Sequence, residues 1–183
     1  MRAQIGRDTL SNSTIGIGLL GMGVVGGGVA TVLDRNREQL SALVGRPLEL
    51  KGVLVRDASR PRAHQLPAGI ITTDPREVLD RPDIDIVVEL IGGQDPALEY
   101  IMKSVSLGRH IVTANKEVMA RHGPDILTEA KGKGVQVLFE AAVAAGTPII
   151  APLLRDLAAN EIIDIHGIIN GTPNYILTRM ANE

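Results

Sequence analysis

The sequence predicts an α/β fold built on a doubly wound parallel sheet, and three observations predict it. Short runs of Ile, Val and Leu alternate with segments of helical periodicity from Thr14 to about Gly146. The run DIDIVVELIGG (83–93) is nearly continuous in aliphatic residues, as a strand covered on both faces requires. The spacing of these runs is that of βαβ units, whose parallel strands are joined by right-handed crossovers.

Composition bounds what such a fold can do. The chain has 183 residues, enough for one sizeable domain or for one domain with part of another. Only 2% are aromatic (Phe139, Tyr100 and Tyr175), so the core must be aliphatic. The net charge of −2 offers no footprint for nucleic acid or a membrane surface. Absence of cysteine excludes disulfides, thiolate metal sites and a cysteine nucleophile. The longest apolar runs fall well short of a membrane span. Residues 1–13 read as a polar, mobile leader without the apolar middle of a signal peptide, so the expected address is the cytoplasm.

The elements follow in order. TIGIGLLG (14–21) is the first strand, and 24–40 reads as a helix with Val25, Val29, Val32 and Leu33 on one face. Strands follow at 48–57 and 69–74, then at 83–93. Asp95 and Pro96 are an N-cap and a first-turn proline for the next helix, and Gly108 sits where a glycine closes it. RHIVTAN (109–115) is a fifth strand. Gly123-Pro124 reads as the opening of a helix ending near 132–134, and 135–143 as a sixth strand. The rhythm changes after Gly146, with a helix expected at 147–160, a strand at 161–170 and another helix from 172. The chain stops inside that helix without a capping signal, as if cut from something longer. The organisation read from this is a leader (1–13), a dinucleotide-binding domain (14–146) and the start of a second domain (147–183).

LLGMGVVGGG places Gly21, Gly23 and Gly26 in the G-x-G-x-x-G spacing, between the first strand and the first helix. In that context the spacing is a Rossmann-like, dinucleotide-binding fingerprint rather than a mere packing turn. Gly21 would allow the tight turn, Gly23 would let a pyrophosphate approach the backbone, and Gly26 would let helix and strand pack closely. The phosphates would meet the N–H groups of residues such as Val24 and Val25 and the positive end of the helix dipole. At the end of the second strand, Arg56 suits the 2′-phosphate of NADP. Asp57 offers the other reading, either holding the ribose hydroxyl of NAD or pairing with Arg56.

VTANKE (112–117) brings an apolar strand to a polar edge and presents Asn115 and Lys116 there. Open α/β sheets bind ligands at that carboxyl edge. A cation so placed can stabilise charge developing on a carbonyl oxygen, and a solvated surface lysine is the plain alternative. The histidines (64, 110, 122, 166) show no metal-ligand spacing and read as surface or structural residues.

Four motifs in order (GLLGMGVVGGGV, VVELIGG with PALEYI, HIVTANKEVMA, and FEAAVAAGTPII followed by GIINGTPNYILTRM) closely resemble homoserine dehydrogenase from about Ile15 to the end. The resemblance implies NAD(P)H-dependent reduction of L-aspartate 4-semialdehyde to L-homoserine, in the route to threonine, isoleucine and methionine. It implies a mixed α/β domain for substrate and dimerisation after the cofactor domain, and a homodimer when full length. It places Lys116 at the cofactor–substrate junction with a part in catalysis, and Gly92 and Gly93 in the loop that passes the cofactor. Gly171 and Thr172, in NGTPNY, would line the nicotinamide side, although most of the family has threonine at the position of Pro173. Backbone carbonyls of Glu140, Val143, Ala145 and Thr147 would hold a monovalent cation such as sodium, a hard ion suited to oxygen ligands. A glutamate with only structural hydrogen bonds is the other reading of Glu140. The family's main substrate carboxylates and its proton-donating lysine lie beyond Glu183, so this chain alone is expected to bind cofactor and catalyse little. A dehydrogenase of the aspartate dehydrogenase kind and a non-catalytic dinucleotide sensor are the competing readings.

Overall fold

The computed structural model describes residues 14–62, 64, 66–144, 146–167 and 171–182. Residues 1–13, expected as a leader, and Ala145 lie outside them. Six strands form one sheet: β1 (Ile15–Leu20), β2 (Leu48–Leu54), β3 (Ile71–Thr72), β4 (Ile86–Glu89), β5 (His110–Thr113) and β6 (Val137–Leu138). All pairings are parallel, in the order β3-β2-β1-β4-β5-β6. The order reverses between β1 and β4, which makes a switch point where loops on the two sides diverge.

Side-chain alternation sorts the core onto two faces. Ile17, Leu19, Val53, Val55 and Val88 pack with Val29 and Leu33 of helix α1 (Val24–Arg35). Leu20, Val87 and Ile111 face the other way, against Ile101 and Val105 of α4 (Ala97–Ser106) and Val118, Ile126 and Ala130 of α5 (Lys116–Lys133). Burial on both faces explains the near-continuous aliphatic run of β4. The short α2 (Arg37–Val44) and α3 (Arg76–Leu79) complete this part.

Several expected elements differ. The helix read over 24–40 is two, because the chain breaks at Asn36 (φ −104°, ψ 20°) before α2 begins. Of its expected apolar face, Val25 and Val32 are exposed, and the buried positions are Gly26 and Ala30 with Val29 and Leu33 partly covered. Asp95 does not cap α4. Its first turn is closed by backbone, with Leu98 N–H donating to Gln94 O, and Pro96 stands at the cap position. Gly108 follows α4 in the left-handed region (φ +77°), as expected of a terminating glycine.

Helix α5 begins at Lys116, not Gly123, and passes through Pro124. Asn115 starts it by accepting the Val118 N–H at 3.2 Å, and the buried face of Val118, Gly123, Ile126 and Ala130 outweighs the proline's missing donor. β6 is only two residues long. It gives way to α6 (Glu140–Val143) because the Glu140 carboxylate turns back to accept N–H groups of Ile149, Ile150 and Ala151. The helix expected at 147–160 is shorter, α-helical at 150–151 and continuing into a π-helical turn at Pro152–Asp156. Residues 161–167 of the expected strand at 161–170 are exposed and irregular, since no neighbouring strand pairs them among the described residues. Residues 168–170 lie outside the described residues. Helix α7 spans Gly171–Asn182. Among the described residues, no helix is long and apolar enough to cross a membrane.

Candidate cofactor site

The site is built at the carboxyl edge of the sheet, beginning with the turn after β1. Gly21 sits at φ +98°, a left-handed conformation that side chains rarely adopt, and a Cβ there would lie 2.8 Å from Leu90 O. A Cβ on Gly26 would lie 2.2 Å from Gly21 O, so only glycine lets α1 pack this closely on the turn. Gly23 is different. A Cβ there meets nothing within 4 Å, and its φ of −80° is open to any residue. Protein packing therefore gives no reason for glycine at 23, while a ligand approaching the backbone does.

No side chain caps α1, and its first bond runs from Gly27 N–H to Gly23 O at 2.9 Å. The N–H groups of Val24, Val25 and Gly26 are left at the positive end of the helix dipole, with Val24 95% exposed. This is the cradle a pyrophosphate needs. The glycine turn and this helix start are the features most fully legible in the sequence.

Beyond β2, Arg56 is exposed and has no ion pair among the described residues. Asp57 does not pair with it. The Asp57 carboxylate instead accepts Ser59 N–H at 2.8 Å and Ser59 Oγ–H at 2.6 Å, bonds that hold its pKa below the usual carboxylate value. Arg62 donates to the carbonyls of Asp57, Ala58 and Arg60 (2.5, 3.2 and 2.7 Å), which folds 57–62 into a tight turn. Arg56 is thus a cation beside this turn with no partner among the described residues.

On the other side of the switch point, Gly92 (φ +77°) and Gly93 (φ +73°) are exposed, with open space at both Cβ positions. Two consecutive left-handed residues turn the chain sharply away from β4. Lys116 is exposed at the first turn of α5, directly after β5, with no ion pair among the described residues. Sequence reasoning missed the group beneath it. Glu89, at the end of β4, is fully buried, together with Thr113 and Asn115. Its carboxylate accepts Ile91 N–H (2.8 Å), Thr113 Oγ–H (2.7 Å) and a longer contact from Asn115 Nδ2 (3.5 Å). The only signal was an acidic residue closing an aliphatic strand.

The remaining expected site residues follow β6 or fall later in the chain. Glu140 is half-buried, and its carboxylate is spent on the N–H groups of residues 149–151, so only its backbone carbonyl remains for a cation. Val143 and Thr147 are exposed nearby, and Ala145 is outside the described residues. Gly171 and Thr172 stand in the first turn of α7. His110 has a structural task, accepting Gln136 N–H on Nδ1 at 3.0 Å. A hollow of about 640 Å³ lies at the opposite edge of the sheet, beside Ile15, Ile86 and Arg109. The Arg109 guanidinium is already spent there on the carbonyls of Leu79 and Arg81.

A parallel sheet in this order, with a glycine turn, an uncapped helix start and a cation at one edge, defines a dinucleotide-binding domain of the Rossmann class. The family model described as "Homoserine dehydrogenase, NAD binding domain" matches residues 21–140, and that described as "Homoserine dehydrogenase" matches 148–183. The chain belongs to the homoserine dehydrogenase family. It is 48% identical over 170 residues to a homoserine dehydrogenase of Synechocystis and 42% identical over 169 residues to one of Bacillus subtilis. These alignments cover 93% and 92% of this chain but only 39% of each relative. A homoserine dehydrogenase crystal structure from Thiobacillus denitrificans superposes with a TM-score of 0.85 at 48% identity, over 93% of this chain and 39% of that one. The chain therefore spans about two-fifths of the length of the relatives it matches.

Proposed function

We propose that this chain is the cofactor-binding part of an NAD(P)-dependent homoserine dehydrogenase, which reduces L-aspartate 4-semialdehyde to L-homoserine. The observation that carries the reading is the arrangement of the carboxyl edge, where a glycine unneeded by packing and an unpaired lysine follow β1 and β5. Bound NAD(P)H would supply the hydride. The chain's own groups do the rest: N–H groups of Val24, Val25 and Gly26 hold the pyrophosphate, and Gly92 and Gly93 leave room for the cofactor to pass. Lys116 favours negative charge developing on the carbonyl oxygen. Gly171 and Thr172 line the nicotinamide and substrate side.

Arg56 selects NADP, a choice supported by the commitment of Asp57 to Ser59. Residues 14–146 form the cofactor domain, and 147–183 begin the domain for substrate and dimerisation in a homodimer. Exposed Leu154, Ile163 and Ile165 support a role for that segment in contacts with further protein. The carbonyls of Glu140, Val143, Ala145 and Thr147 hold a monovalent cation such as sodium.

The test is NADPH oxidation by the complete protein that contains this chain, with L-aspartate 4-semialdehyde as substrate, run beside NADH. Substrate-dependent turnover is expected, with NADPH preferred. In Arg56→Ala, NADPH should bind about ten- to a hundredfold more weakly and NADH nearly unchanged, from loss of a charge-assisted hydrogen bond. No turnover with either cofactor would overturn the activity, and equal losses for both would overturn the NADP choice.

A further inference from the structure

Glu89 is a buried acid in the middle of the proposed site that no step of that reading uses. It is 0% exposed, while Thr113 and Asn115 are 1% and 4% exposed. Burying a carboxylate is costly unless its oxygens find donors, and here both do. One oxygen accepts Ile91 N–H and the longer Asn115 contact, and the other accepts the Thr113 hydroxyl. The Thr113 oxygen in turn accepts Asn115 N–H at 3.0 Å. Asn115 then reaches both ways. Its Nδ2 donates to Gly93 O at 2.7 Å, and its Oδ1 accepts Val118 N–H as the cap of α5. One carboxylate thus ties the end of β4, the Gly92-Gly93 turn, the end of β5 and the first turn of α5 into a single hydrogen-bonded unit. Lys116 is the residue next to that unit's central asparagine.

We infer that Glu89 is a positioning residue, which acts through Thr113 and Asn115 to set the Gly92-Gly93 turn and deliver Lys116 at a fixed place beside it. The inference rests on the reading that Lys116 works at the cofactor–substrate junction. A purely structural acid could satisfy two strand ends without engaging the cap of the helix that carries Lys116. The Asn115 side chain contributes nothing to the aliphatic core, and its two long-range bonds lead to Glu89 at the end of β4 and to Gly93 in the turn that follows. Reacting groups misplaced by about 1 Å lose on the order of a hundredfold in rate.

The experiment is a double-mutant cycle on kcat/KM in the complete protein, with Glu89→Gln and Lys116→Ala alone and combined. Gln keeps the volume but turns one acceptor into a donor facing Thr113. Glu89→Gln should lower kcat/KM about ten- to a hundredfold, mostly in kcat, and should cost less than about twofold once Lys116 is already Ala, because groups acting as one unit are non-additive. Thermal unfolding and NADPH affinity are recorded on every variant. If Glu89→Gln does not fold, Asn115→Ser decides instead: serine keeps an N-cap acceptor but its short hydroxyl does not reach Gly93 O as Nδ2 does, and the same non-additive loss is expected. Equal losses in both Lys116 backgrounds, or no loss in a folded single variant, would overturn the inference. Wild-type kinetics in Lys116→Ala would overturn the reading on which it stands, a result distinct from either.

Discussion

The chain's two parts treat their apolar residues in opposite ways. From β1 to β6, Leu19, Val53, Val87, Ile101, Ile111 and Ile126 are sealed between sheet and helices. From Leu154 onward, Ile163, Ile165, Leu177 and Met180 stand exposed, Ile163 at 92%. Their hydrophobicity is similar, so what differs is the presence of a covering surface. An aliphatic residue stabilises this fold only where a second layer removes it from water. The first part supplies its own layers, and the second presents its apolar residues to whatever covers them.

The largest effect that could break this comparison is a pair of truncations. Ile111→Ala should cost about 2–5 kcal/mol through lost burial and the cavity left behind. Ile163→Ala should change stability by no more than about 0.5 kcal/mol. Denaturant melts of the two variants check this, and equal losses would mean that 161–167 is packed after all.

A smaller effect separates the glycines. Gly26→Ala forces a Cβ against Gly21 O and should destabilise by about 1–3 kcal/mol, an overpacking cost with backbone on both sides. Thermal unfolding reads it out. A neutral Gly26→Ala would show that α1 can shift off the turn.

The junction of the two parts is sharpened by pH. The Glu140 carboxyl is held below its ordinary value of 4.5 chiefly by Ile149 N–H, then by Ala151 and Ile150 N–H, with burial opposing. A lowered folded-state value means that the stabilisation is fully present above the unfolded value and is lost as pH falls through the folded one. The gap in melting temperature between the wild type and Glu140→Gln should therefore be constant above about pH 5 and close on further acidification. Asp57, Asp74 and Asp83 are lowered too, so the difference between the two proteins, not the wild-type curve, carries the result. A gap that does not change with pH would show that the Glu140 bonds are not formed in solution.

The same comparison explains what the sequence made legible. Aliphatic runs between helical segments identified all six strands, because their side chains pack between sheet and helices, fully in the inner strands and partly in β3 and β6 at the edges. The glycine fingerprint marked its turn because Gly21 and Gly26 meet steric demands that no other residue satisfies. The strand expected at 161–170 had the right residues, but among the described ones no partner pairs it. The start of α5 was hidden because Asn115 reads as the end of a strand, while Gly123-Pro124 looks like a helix opening. Glu89 was least legible. Its partners Thr113 and Asn115 lie 24 and 26 residues away, and only the sheet brings them together.

The central claim is that the turn between β1 and α1 holds the pyrophosphate of a nicotinamide cofactor. Gly23→Val tests it most directly, because the substitution meets no protein atom at its Cβ and should leave the melting temperature nearly unchanged. Titration calorimetry with NADPH should then show binding in the wild type and none in the variant, the added side chain standing where the phosphates approach. Undiminished NADPH affinity in a folded Gly23→Val protein would contradict the account.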